Sequence, residues 1–242
     1  MRLLILHTVA YLLIGLVSWV CTLITPLRWW DLGLSLSFYP EWDKVLYHPW
    51  SLVTYALPHL NFFHFFGNMC LVYTLLPVMA YRLGTHRFLW TYIGGIIAGA
   101  LTYLLGYQLL GAQIIPPLSL QGASAAILSV CAAAVMVDRK ILSSFTLRFT
   151  GNRIPPIALW GFLFLVFLGA GRGNLGGHLA HLGGLLFGIA CGLYYRKQAK
   201  RLASVFTSDR EELLRKTRHS SFSSLSPEER RRLMKNLPKD KN

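Results

Sequence analysis

The sequence predicts an all-α membrane protein, a six-transmembrane-helix bundle with both termini cytoplasmic. Three observations carry the prediction. The 242 residues are 54% hydrophobic and only 14% charged, where soluble chains average about a quarter charged. The charges are segregated, since no Asp, Glu, Lys or Arg falls in 3–27, 45–81, 88–137, 154–171 or 173–195. A bilayer core of ~30 Å needs ~20 helical residues, and these windows are long enough to hold such spans. A disordered chain and a secreted disulfide scaffold are excluded, and a nucleic-acid binder is disfavoured.

Span one covers about 3–24. Arg2 precedes it, but the run is long for a signal peptide and no small-x-small cleavage site follows. Span two lies within about 55–80. The uncharged segment 88–137 is too long for one crossing, and Gly111 with Pro116 and Pro117 divides it into 88–110 and 122–138. Spans five and six are about 156–170 and 175–195. Six spans put both termini on one side, and basic residues choose which. Arg2, Arg82, Arg87, Arg139, Lys140, Arg148, Arg153 and the fourteen Lys/Arg of 196–242 face only Arg28, Lys44 and Arg172 across the membrane. Residues 1–195 therefore read as a membrane domain and 196–242 as a basic cytoplasmic tail. The short loops point to a bacterial inner (plasma) membrane.

The net charge of +14 would ordinarily indicate a polyanion partner. Here much of the excess is the tail, where fourteen basic residues face six acidic ones. No nucleic-acid partner is expected. An anionic lipid contact is plausible at Arg196-Lys197 and Lys200-Arg201. Ser208-x2-Glu211 and Ser226-Pro227-Glu228-Glu229 read as capping boxes that open two short helices. Loop 26–52, rich in Trp, Tyr and Phe, fits a segment lying half in the membrane. Cys21, Cys70, Cys131 and Cys191 sit in apolar stretches without CxxC spacing and read as buried small residues.

Spans two, four and six all begin on the outer side, so their first halves share one depth. Those halves hold His59, His64 and Asn68, then Ser124, then His178 and His181. Polar side chains in a nonpolar medium need partners, and convergence on one site is the economical arrangement. His64 and Asn68, at i and i+4, share a helix face. Gly177, His181, Gly184 and Gly188 form a stripe on which a neighbouring backbone can approach closely. Ala125, Ser129 and Ala132 give span four a small-residue side. Packing the two together brings Ser124 to His181, a nucleophile beside its base. No span contains a carboxylate, so this is a dyad and not a triad. N–H groups at the start of span four, with His64 and Asn68, can hold an oxyanion.

These residues resemble a family. His59-x4-His64-x3-Asn68, Gly122-x-Ser124 and Ala180-His181-x2-Gly184-x3-Gly188, in that order on spans two, four and six, look like the rhomboid intramembrane serine proteases. Trp50 and Arg82-Leu83-Gly84 also fit, and the resemblance covers about 40–195. It implies a six-helix core, a Ser124–His181 dyad and an oxyanion site from His64, Asn68 and backbone at Ala123–Ser124. Gly122, Gly184 and Gly188 would be structural, as would His59, which holds the first external loop. The clients would be transmembrane proteins, entering past span five and cut near the outer face after a small residue. No cofactor and no metal are implied.

Four positions depart from the family pattern. Ala125 and Leu128 replace a Gly and an aromatic, and Ser51 and Ala80 replace an Arg and a Glu. They bear on rate and stability more than on reaction type, with Ala125 in a position to narrow the approach of span six. Other readings compete with the dyad. Ser124 taken alone is a structural serine, His181 an interhelical bridge, and His64 with Asn68 glue between helices. His178, about 60° from His181 around the helix, reads as loop-facing or water-facing. A zinc site lacks an HExxH motif and an intramembrane carboxylate, and a bis-histidine haem between spans two and six has nothing in the sequence to motivate it. A transporter lacks inverted repeats. A rhomboid-like protein that binds clients without cutting them remains the alternative function.

Overall fold

A computed structural model of the chain describes residues 2–24, 30–139, 141, 147–149, 152–154, 174–220 and 225–235. They form two compact units, Met1–Leu193 and Tyr194–Asn242. The first opens with α1 (Arg2–Ile24), followed by three short helices, α2 (Trp30–Leu36), α3 (Trp42–Tyr47) and α4 (Ser51–Thr54). Then come α5 (Phe62–Thr74), α6 (Leu76–Leu83), α7 (Thr85–Leu110) and α8 (Ser124–Val137). A small antiparallel hairpin, β1 (Leu147–Phe149) with β2 (Asn152–Ile154), is the one sheet of named strands among the described residues. Helix α9 (Leu175–Ser220) and α10 (Pro227–Lys235) complete the chain.

Among the described residues, three helices are long and apolar enough to cross a membrane: Arg2–Cys21 within α1, all of α7, and Leu175–Thr217 within α9. Helices α5 and α6 make a fourth if taken as one span bent by 42°, and α8 is a shorter apolar helix. The predicted span five, 156–170, past which the resemblance has clients enter, lies outside the described residues.

Local chemistry sets the breaks. Asn61 caps α5, its Oδ1 accepting from the His64 N–H at 2.9 Å. The helix within the predicted 55–80 region therefore begins at Phe62, and His59 precedes it instead of lying on it. Pro77 sits in the first turn of α6. It has no N–H for the preceding turn, so the helix bends there. Gly84 and Gly111, at φ +78° and +79°, flank α7 and end the helices before them. At the far end of α8, Asp138 accepts from Arg82 at 2.8 Å.

The loop after α1 is built, not irregular. Phe38 and Leu120 exchange two backbone hydrogen bonds, tying it to the 111–121 loop. The Trp50 indole donates to the Ser35 carbonyl and Gln108 to that of Pro40. Trp42, Leu46, Tyr47 and Trp50 remain exposed, an aromatic and apolar edge on a structured loop.

In the second unit, Leu213, Leu225 and Leu233 are buried together, with Leu214 against them. The Ser226 box forms as expected: Ser226 N–H donates to Glu229, and Glu229 N–H to the Ser226 hydroxyl. The Ser208 box does not form. Helix α9 runs unbroken through 208–211, because the apolar periodicity continues to Leu213 and gives the helix no reason to stop.

Candidate active site

The Ser124 hydroxyl lies 2.6 Å from His181 Nε2. Both residues are half-buried, whereas Gly122, Ala123 and Ala125 around them are buried. The reactive pair is thus reachable within a packed wall.

Backbone geometry puts Ser124 there. Gly122 has φ +105°, a conformation that L side chains rarely adopt. Its N–H donates to the Tyr55 carbonyl at 2.9 Å, and the buried Tyr55 hydroxyl donates to Ile96 O at 2.8 Å. Ala123 is the N-cap, and α8 starts at the serine itself. The N–H groups of the first turn, from Ser124 on, have no helical acceptor. They are oriented donors beside the nucleophile.

Small residues put His181 there. A Cβ on Gly184 would collide with the Ala125 carbonyl, one on Gly188 with the Ser129 carbonyl, and one on Gly192 with that of Ala133. Three successive turns of α9 therefore lie directly on three successive turns of α8. The α8 row is Ala125, Ser129 and Ala133, one residue beyond the expected Ala132. Gly177 belongs elsewhere, since its N–H donates at 2.9 Å to Oδ1 of Asn174, the residue before α9. Helix α7 closes the other side, with Gly95 against Ser129 and Gly99 against Ala125. The Ala125 methyl points at Gly99, while its backbone faces Gly184. The extra methyl is therefore absorbed by α7 and does not hold α9 away.

His64 and Asn68 sit one turn apart on α5, and the Asn68 amide donates to the His64 carbonyl at 2.9 Å. An amide nitrogen has two N–H groups, so this bond fixes the plane and leaves one for another acceptor. The His64 ring lies on the bare face of Gly122, where a Cβ would stand 2.7 Å from Cε1 and 2.9 Å from Nε2. His59 meets His64 edge-on, with ring centroids 5.2 Å apart. Its Nδ1–H donates to the Leu57 carbonyl at 3.0 Å. The structure thus gathers Ser124, His181, Gly122, Ala123, His64 and His59 around the start of α8, with Asn68 one turn beyond His64 on α5. His178 stands next to His181, ring centroids 6.5 Å apart.

Sequence reasoning passed over several residues that hold this site. Asn61 and Asn174 carried a readable signal, an Asn immediately before an apolar helix. Tyr55 and Gly192 carried none beyond composition. His7, buried in α1, was readable as a polar residue in an apolar span.

A Rhomboid domain family model matches residues 47–198. No curated protein matches the chain. The matched segment contains every residue of the Ser124–His181 cluster and more than half of the sequence. The chain therefore belongs to the rhomboid family, a family made up generally of intramembrane serine proteases.

Proposed function

We propose that the protein is an intramembrane serine endopeptidase that cuts transmembrane clients in or beside their membrane segments. The observation that carries the reading is the 2.6 Å contact between Ser124 Oγ and His181 Nε2. For Nε2 to accept the serine proton, the His181 proton must reside on Nδ1. Ser124 Oγ then attacks a peptide carbonyl as its proton passes to Nε2. The negative charge that grows on the carbonyl oxygen is met by the N–H groups at Ala123–Ser124, with His64 and Asn68 as side-chain donors. His181 returns the proton to the leaving amine, and water releases the acyl group by the same steps in reverse. No metal and no cofactor enter these steps.

The setting proposed with it is a multi-pass protein of six spans, termini cytoplasmic, in a bacterial inner membrane. The uncharged windows and the excess of basic residues on one side support that topology. Anionic lipid is the proposed partner of the basic tail.

The test is a fluorophosphonate probe on the purified full chain, with cleavage of a reconstituted single-span reporter bearing small, helix-weakening residues near its outer end. Wild type is expected to be labelled and to cut. Ser124→Ala abolishes both, and His181→Ala lowers cleavage by roughly 10³-fold or more. Labelling that survives Ser124→Ala overturns the reading. Reporter capture without any product would make the protein a client binder instead.

A further inference from the structure

Helix α1 lies outside the matched segment, and it is held unusually. Among its described residues His7 alone is buried, at 1% exposure, while Leu12, Leu13 and Leu16 stand more than half exposed. An imidazole is a poor choice for a purely hydrophobic anchor, because its ring nitrogens need partners when buried. The chemistry around it explains the choice.

His7 Nε2 lies 2.8 Å from the hydroxyl of Tyr92 on α7. On its other side the His7 ring meets His59 edge-on, centroids 6.2 Å apart. His59 is itself buried, with Tyr11, Phe65 and His64 around it at 6.3, 5.4 and 5.2 Å between centroids. Two nitrogens in this cluster, His7 Nδ1 and His59 Nε2, are buried without a hydrogen-bond partner, and His64 Nδ1 on the neighbouring ring is a third.

Hydrogen-bond polarity assigns the two. The Leu57 carbonyl only accepts, so the proton of neutral His59 is on Nδ1, and its Nε2 is a bare acceptor. If the Tyr92 hydroxyl donates to His7 Nε2, the His7 proton is on Nδ1, which is then a donor. With Tyr92 as donor, one orphan is a donor and the other an acceptor, on adjacent rings. A ring nitrogen sits about 1.1 Å from its centroid, so the two are at least about 4 Å apart, too far for a direct bond, and a single water is the smallest group that can serve both. A histidine cluster also invites a metal, but among the described residues no three His, Cys, Asp or Glu converge on one.

We propose that a buried water bridges His7 Nδ1 and His59 Nε2. It completes a one-way donor chain from Tyr92 through His7, water and His59 to the Leu57 carbonyl. Through that chain His7 is a positioning residue for His64, since His59 and His64 pack on each other and on Gly122. Only this last link rests on the proteolytic reading; the water bridge does not.

The test is ¹⁵N-histidine NMR on the full chain in nanodiscs, with His7 assigned by difference against His7→Phe, alongside reporter kinetics. Both His7 and His59 are expected as the Nδ1–H tautomer. Tyr92→Phe, which leaves His7 in place, shifts the His7 population towards Nε2–H. His7→Phe, similar in size, lowers kcat about tenfold with KM unchanged and fluorophosphonate labelling retained. His7→Asn, whose amide N–H stands near the place of Nδ1–H, restores most of that loss. An Nε2–H tautomer at either histidine in wild type overturns the bridge. An active wild type whose kcat is unmoved by both His7→Phe and Tyr92→Phe overturns the positioning role. Nδ1–H tautomers in a chain that no probe labels support the bridge and sink the protease reading alone.

Discussion

Gly122 cannot be replaced for two separate reasons, and they predict separable effects. Its φ of +105° strains any L side chain, at a cost of about 1–3 kcal/mol. Its missing Cβ is also the seat of the His64 ring. Gly122→Ala is therefore expected to lower the melting temperature in detergent and to lower kcat by more than that loss of folded protein explains, because His64 is pushed off the oxyanion. Equal percentage losses in folded fraction and kcat would show that the ring seat is irrelevant. At this scale the sequence was most legible where polarity conflicted with environment: Ser124, His64, Asn68 and His181 stood out as polar groups in apolar windows. The special role of Gly122 came from the motif, and its φ had no signature of its own. The direction of the Ala125 methyl was not readable at all. Only the structure shows that its methyl faces α7 and its backbone faces α9.

Between elements, the α8–α9 contact is set by what is missing from Gly184, Gly188 and Gly192. A methyl at Gly188 meets the Ser129 backbone, which cannot rotate away, whereas one at Gly177 meets the Asn174 side chain, which can. Overpacking of a rigid contact costs about 1–3 kcal/mol. Gly188→Ala should accordingly lower both melting temperature and cleavage by opening the Ser124–His181 contact, and Gly177→Ala should do so much less. Equal effects from the two substitutions would argue against the close backbone approach. The tail pair obeys different physics. Lys216 Nζ, 2.9 Å from Glu229, and the Ser226 N–H hold the Glu229 carboxyl down to about 2 from an ordinary 4.5. A carboxyl depressed in the folded state contributes stability that is whole above the ordinary value and disappears as pH falls through the folded one. Cα chemical shifts of 226–235 should stay helical down to about pH 4.5 and drift toward coil between there and about pH 2. In Glu229→Gln that drift should vanish, with the helix weaker than wild type above about pH 4.5 and matching it near pH 2. The pair is exposed, so the effect is local and small.

For the molecule as a whole, charge segregation made the membrane class legible before any motif, and helix-breaking residues located most of the ends. The misplacements have physical causes. His59 was counted on span two because 45–61 is as uncharged as the helix after it, and only the Asn61 cap distinguishes loop from helix. Helix α9 outran its predicted end because a basic helix is still a helix; charge marks where a membrane stops, not where hydrogen bonding does. That distinction yields a topology test. Arg196 is where the uncharged window ends, so the positive-inside rule puts everything after it, with Arg82 and Arg87, on the cytoplasmic side. With Cys21, Cys70, Cys131 and Cys191 replaced, a single cysteine at His48, in the built outer loop, should react with a membrane-impermeant maleimide on intact bacterial cells. A single cysteine at Glu228, in α10, should react only after the membrane is opened. Labelling of both positions on intact cells would put the tail outside, and the reverse order would put the start of α8, tied to the His48 loop through Phe38 and Leu120, on the cytoplasmic side. The dyad would then face clients from inside, and the proposed site of cleavage near the outer end of a client helix would have to be abandoned even if Ser124 and His181 carry out the chemistry.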